Sequence, residues 1–203
     1  MPKIKWIGVI DQEDIKKYQT APLPDNAVKT DLPNSMGEMM LKAAPFAIGS
    51  FMICMISMVM KCSAAKMNVI SMPWTFAGLL IAPVYLILHE FLHAIVYPRK
   101  ATVSIGILKQ FAAVALAFYP LKKVRFALMS LLPYLLGLVP LILFQLVPAE
   151  NEALNSILFI LSMIGMISPY PDAYNVCYMI RKIPAGSKIV FCGDDTYYIP
   201  KEG

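Results

Sequence analysis

The chain opens polar and then turns apolar in blocks. Residues Met1 to Lys42 mix polar and apolar positions, carry Pro22, Pro24 and Pro33, and read as a cytosolic leader with one short strand at Ile4 to Ile10. Four long apolar runs follow: Ala43 to Met60, Trp74 to Tyr97, Phe126 to Val147 and Ala153 to Pro171. Each is about 18 to 24 residues, the length at which a helix rising about 1.5 Å per residue crosses a hydrocarbon core. Two stretches have a period of two instead. Thr102 to Leu108 alternates small or polar with apolar side chains, Lys109-Gln110 reads as a turn, and Phe111 to Tyr119 is apolar but too short to cross. A β-hairpin at the membrane face fits this stretch best, with a re-entrant segment as the competitor. Lys188 to Cys192, then Gly193-Asp194-Asp195, then Thr196 to Ile199 reads as a second hairpin. The expected fold is a mainly α membrane protein: four transmembrane helices with short β-hairpins on the cytoplasmic side. Residues 1–203 are expected to form a single membrane-embedded domain, with 172–203 as a cytosolic tail.

Composition supports the block pattern. Hydrophobic residues make up 58% and charged residues 15% of 203, whereas a soluble domain is nearer half and a quarter. The net charge of +5 would suggest an acidic partner in a soluble protein, but the basic residues flank the apolar runs. The leader carries Lys3, Lys5, Lys16, Lys17, Lys29 and Lys42. The second loop carries Arg99, Lys100, Lys109, Lys122, Lys123 and Arg125, and the tail Arg181, Lys182, Lys188 and Lys201. The first loop has only Lys61 and Lys66, and the third has Glu150 and Glu152 but no basic residue. Sixteen of the 18 basic residues therefore fall on one side, which predicts a multi-pass protein of the cell membrane with both termini cytoplasmic. No basic helix or aromatic-interleaved patch points to nucleic acid. Cys54, Cys62, Cys177 and Cys192 form no CxxC pair and no disulfide framework. The first long apolar run begins after about forty mostly polar residues, too late for a cleavable signal.

The two histidines of the chain share one pentapeptide, His89-Glu90-Phe91-Leu92-His93, inside the second apolar run. On a helix, residues four apart lie on one face, so both imidazoles can close on one metal ion. Ionisable side chains are costly inside a membrane and mark function there. Catalytic zinc usually takes three protein ligands plus water. The acidic residues in or at the edge of apolar runs are Glu90 and Asp172. Asp172 ends the fourth run, and the predicted topology brings it to the same depth as the histidines, near the cytoplasmic face. His89, His93 and Asp172 are thus the expected ligands of Zn²⁺. Glu90 is the expected general base, taking a proton from the metal-activated water. Asn175 is a candidate to orient Asp172 or to donate to the oxyanion. Pro169 and Pro171 are expected to break the helix at this point.

This order of elements resembles the core of the site-2 protease class of intramembrane zinc proteases: H-E-x-x-H on one span, a hairpin, an intervening span, then an Asp at the end of a Pro-containing span. More closely, the chain resembles the putative zincin peptidase family of small bacterial membrane proteins. That likeness extends to Pro171-Asp172-Ala173-Tyr174-Asn175-Val176, to Ile183-Pro184-Ala185-Gly186-Ser187-Lys188, and to Gly193-Asp194-Asp195-Thr196-Tyr197-Tyr198. It departs from the site-2 pattern in having Ala173 where Gly follows the metal-binding Asp, and in having no Asn before Pro169. The resemblance implies a zinc metallopeptidase acting on a membrane protein or peptide, with His89, Glu90, His93 and Asp172 at matched positions. The hairpin at Thr102 to Tyr119 could hold such a substrate extended. The alternative is a non-catalytic membrane partner or scaffold with a structural metal, which a fourth protein ligand such as Cys177 would favour. A metal transporter ranks last, because the first and third runs offer no acidic residue and no histidine. The bilayer and a protein or peptide substrate are the expected partners; the residues specify no oligomeric state.

Overall fold

The computed structural model describes residues 1–33, 35–109 and 112–201. In chain order the strands are β1 (Lys3–Ile10), β2 (Val28–Lys29), β3 (Thr102–Leu108), β4 (Ala113–Leu116), β5 (Leu121–Lys122), β6 (Lys188–Cys192) and β7 (Asp195–Ile199). The helices are α1 (Ile15–Gln19), α2 (Met36–Ala65), α3 (Met72–Leu79), α4 (Ala82–Val96), α5 (Lys123–Leu131), α6 (Leu135–Leu146), α7 (Glu152–Ile167) and α8 (Tyr170–Lys182). They form two compact units. The first comprises Met1–Lys42, Glu90–Leu132 and Asp172–Gly203; the second comprises Ala43–His89 and Pro133–Pro171.

The first unit holds every described strand. Strand β3 lies between β1, which it pairs in parallel, and β4, which it pairs antiparallel with Ser104 opposite Leu116. The hairpin expected from the alternation is therefore present, although Gln110 of its expected turn and Phe111, where its second arm was expected to begin, lie outside the described residues. The second sheet runs β2-β7-β6-β5. Its β6–β7 hairpin turns through Gly193 at φ 60°, the conformation that a type II′ turn requires at its first central position. The segment expected as a leader is folded: β1 and β2 each join a sheet whose other strands come from distant sequence. Ala94, Tyr97, Phe126, Met129, Val176 and Met179 of the helices and loops form one buried apolar cluster with Val103, Ile105 and Ile189 of the strands.

The second unit is helical, and its packing depends on small residues. A Cβ on Gly137 of α6 would fall 2.2 Å from the Met166 nitrogen, and one on Gly165 of α7 would fall 2.3 Å from the Gly137 nitrogen. A Cβ on Gly78 of α3 would meet Ile160 at 2.3 Å. Backbones this close are the usual way apolar helices gain contact where burial from water supplies no drive. Lys61 of α2 is only 7% exposed. Its ammonium donates to the Phe144 carbonyl, to the Val147 carbonyl at 2.7 Å and to Asn155 Oδ1 at 2.6 Å. It therefore satisfies carbonyls that the end of α6 leaves without helical donors.

Among the described residues, three helices are long and apolar enough to cross a membrane: Gly37–Ala65, Lys123–Leu146 and Glu152–Lys182. The pair α3 and α4 makes a fourth if it counts as one span. The expected single helix over 74–97 is thus corrected to two pieces bent by 46°. Pro83 stands in the first turn of α4, where its missing N–H costs nothing, but its ring cannot follow an unbroken helix. The first run extends beyond its expected limits to Met36 and Ala65. The fourth is not ended by its prolines. Pro169 occupies the break after α7, whereas Pro171 sits in the first turn of α8, and the chain continues helical to Lys182. The segment expected as a tail from residue 172 begins as a helix.

Candidate metal centre

Helix α4 carries the motif in its last two turns. Ligand-capable atoms of His89, Glu90 and His93 lie within 4.8 Å of one another, and among the described residues they form the one group of three or more His, Cys, Asp or Glu side chains close enough to hold a metal ion. The four-residue spacing of His89 to His93 and the three-residue spacing of Glu90 to His93 put all three on neighbouring positions of the helix surface. His89 is 7% exposed and His93 8%, so both imidazoles are withdrawn from solvent.

Each histidine is steadied through its Nδ1. In the first unit, His93 Nδ1 lies 2.8 Å from the Met129 carbonyl oxygen. A carbonyl only accepts, so this contact places a proton on Nδ1, and in the neutral ring the lone pair is then on Nε2. His93 Nε2 in turn lies 3.5 Å from Asp172 Oδ2. In the second unit, the Ser168 hydroxyl lies 3.3 Å from His89 Nδ1, where it can accept the Nδ1 proton that a metal on Nε2 requires. Sequence reasoning did not single out either outer partner. A backbone carbonyl has no sequence signature, and Ser168 was visible only as one member of the Ser-Pro-Tyr-Pro-Asp stretch.

Asp172 lies outside the three-residue group and reaches it through His93. Ligand bonds of about 2.0 to 2.2 Å at tetrahedral angles put ligand atoms roughly 3.3 Å apart, so the 3.5 Å pair matches two neighbouring ligands of one zinc ion. The donor set of two imidazoles and carboxylates is the chemistry zinc prefers in catalytic sites. Asn175 lies one turn beyond Asp172 on α8, and its Oδ1 is buried with no hydrogen-bond partner among the described residues. A buried polar atom left unpaired is costly and calls for a role. Cys177 joins no metal-sized group among the described residues.

A family profile described as "Putative zincin peptidase" matches residues 82–188, from the start of α4 to the first residue of β6. No curated protein matches the chain, and no solved structure does.

Proposed function

From the chain's membership of the putative zincin peptidase family, we propose that it is an integral-membrane zinc metallopeptidase that hydrolyses a peptide bond near the cytoplasmic face. The observation that carries this reading is the His89, Glu90 and His93 group on one helix, both histidines buried, with Met129 accepting from His93 Nδ1. The three to four apolar helices support the membrane part, and the weight of basic residues at one set of helix ends supports the orientation. Both termini would lie in the cytoplasm.

His89, His93 and Asp172 would hold the metal. When bound, zinc supplies a Lewis acid that makes water ionise near neutral pH and polarises the carbonyl to be attacked. Glu90 accepts one proton of the attacking water as the new carbon–oxygen bond forms, then delivers it to the amine as the carbon–nitrogen bond breaks. Asn175 would orient Asp172 or donate its amide N–H to the developing oxyanion. The β3–β4 hairpin offers β4 as an edge of its sheet, along which an extended substrate can pair. Met129 and Ser168 act at one remove by fixing the imidazoles.

The test is metal content and peptide hydrolysis measured side by side for Glu90→Gln and His93→Ala. Glu90→Gln should keep its zinc and lose turnover by roughly 10²-fold to 10⁴-fold, while His93→Ala should lose both. Unchanged turnover in Glu90→Gln removes the proposed base.

A further inference from the structure

Five lysines of the first unit are neutralised where they stand: Lys16 by Asp194, Lys17 by Asp14, Lys29 by Asp195, Lys42 by Glu38 and Lys109 by Asp11. One edge of the same unit is not. Strand β5 pairs with β6 so that Lys122 stands directly opposite Lys188, and both are exposed. Like charges directly opposite across a ladder repel, and neither has an acidic partner among the described residues. The Lys123 ammonium holds the Ile183 carbonyl at 2.8 Å, which brings the end of α8, with exposed Arg181 and Lys182, to this edge. Bare apolar side chains stand beside the charges: Val124 is 83% exposed and Ile180 65%. A matching ligand offers an anion to the lysines and a hydrocarbon chain to Val124 and Ile180. A free phosphate offers only the first.

We propose that this edge binds the phosphate headgroup of an anionic phospholipid, with its acyl chain against Val124 and Ile180; the proposal rests on the membrane reading above. The test titrates phosphatidylglycerol, phosphatidylcholine or inorganic phosphate into the detergent-solubilised full chain and follows its thermal midpoint. Phosphatidylglycerol should raise the midpoint and phosphatidylcholine should not. In Lys122→Gln/Lys188→Gln the apparent affinity should fall roughly tenfold or more, while Lys122→Arg/Lys188→Arg and Lys16→Gln/Lys17→Gln should behave as the wild type. The wild-type response should also weaken between about 0.1 M and about 1 M salt, a readout that needs no substitution. An equal response in the Gln pair, or the same midpoint rise with inorganic phosphate alone, overturns the lipid site. A chain that stays monodisperse without detergent instead overturns the membrane reading and takes the proposal with it.

A second inference concerns the carbonyl that holds His93. In α5 the Leu132 N–H bonds the Leu128 carbonyl, so the next donor in the ladder, due to the Met129 carbonyl, is the nitrogen of residue 133. That residue is Pro133, which has no N–H. The Met129 oxygen is therefore left over by the helix, and His93 Nδ1 takes it at 2.8 Å. We infer that Pro133 is a positioning residue: by withholding a backbone proton it reserves the Met129 carbonyl for the imidazole. This rests on the zinc reading. Pro133→Ala supplies the missing donor, which should compete with His93 and weaken zinc binding roughly tenfold in a chelator competition. The thermal midpoint of the metal-stripped protein reads the fold separately, since the buried Pro133 ring is lost as a helical hydrogen bond is gained. Slow hydrogen exchange at the new residue-133 amide should report that bond directly. Zinc affinity unchanged in Pro133→Ala but lost in His93→Ala overturns the role of Pro133 alone. Affinity unchanged in both overturns the zinc site.

Discussion

Asp172 Oδ2 and His93 Nε2 lie 3.5 Å apart, and the two side chains are only 20% and 10% exposed. A carboxylate and an imidazole this close and this sheltered can share either a proton or a cation. If they share a cation, Asp172→Ala should copurify with far less zinc than the wild type, and Asp172→Asn should fall between them. Elemental analysis of the detergent-purified chains reads this without any substrate. Wild-type zinc content in Asp172→Ala would dismiss the carboxylate as a ligand.

Ser168 acts on the other histidine. Removing its hydroxyl leaves His89 Nδ1 without the partner that it has at 3.3 Å. Ser168→Ala should lower zinc affinity about tenfold, the range for loss of an outer hydrogen bond, and should leave the fold intact. Equal affinities in a chelator competition would show that this contact does not orient the ring.

The α6–α7 contact admits no side chain at its tightest point. Gly137→Ala and Gly165→Ala each force backbone atoms apart, since the added carbon would sit within 2.3 Å of a backbone nitrogen. Overpacking of this kind costs about 1 to 3 kcal/mol. Each variant should therefore unfold at a clearly lower denaturant concentration, whereas Gly49→Ala, with open space around it, should not.

Lys61 predicts a coupled effect. Lys61→Met strips a buried donor from Asn155 and from two carbonyls, at a cost of about 1 to 3 kcal/mol for the unpaired groups. Asn155→Leu, at a site with no exposure, should destabilise as well. The double variant should lose less than the two singles together, because the groups share one network. Strict additivity in chemical unfolding would mean that the two side chains act separately.

Much of the site could be read from the chain because it is local. Four-residue spacing places His89 and His93 on one face of any helix, and depth arguments from lysine placement matched Asp172 to His93. The hairpins could be read from alternation and from Gly193. What escaped has physical reasons. An unbroken apolar run such as 74–97 gives no periodic signal of a bend, and the 46° break falls just ahead of Pro83. Pro171 reads as a helix stop in the sequence, yet a proline in the first turn starts a helix as readily as it ends one. The pairing of β1 with β3 joins residues about a hundred positions apart, which no window of sequence shows.

The restart of the chain at Tyr170 has a consequence for assembly of the centre. It puts Asp172 in the opening turn of α8, directly after Pro171, whose ring fixes the local backbone. A carboxylate carried on a turn stiffened in this way keeps its direction. Were it to share a cation with His93, uptake should need little rearrangement of the backbone and should be fast.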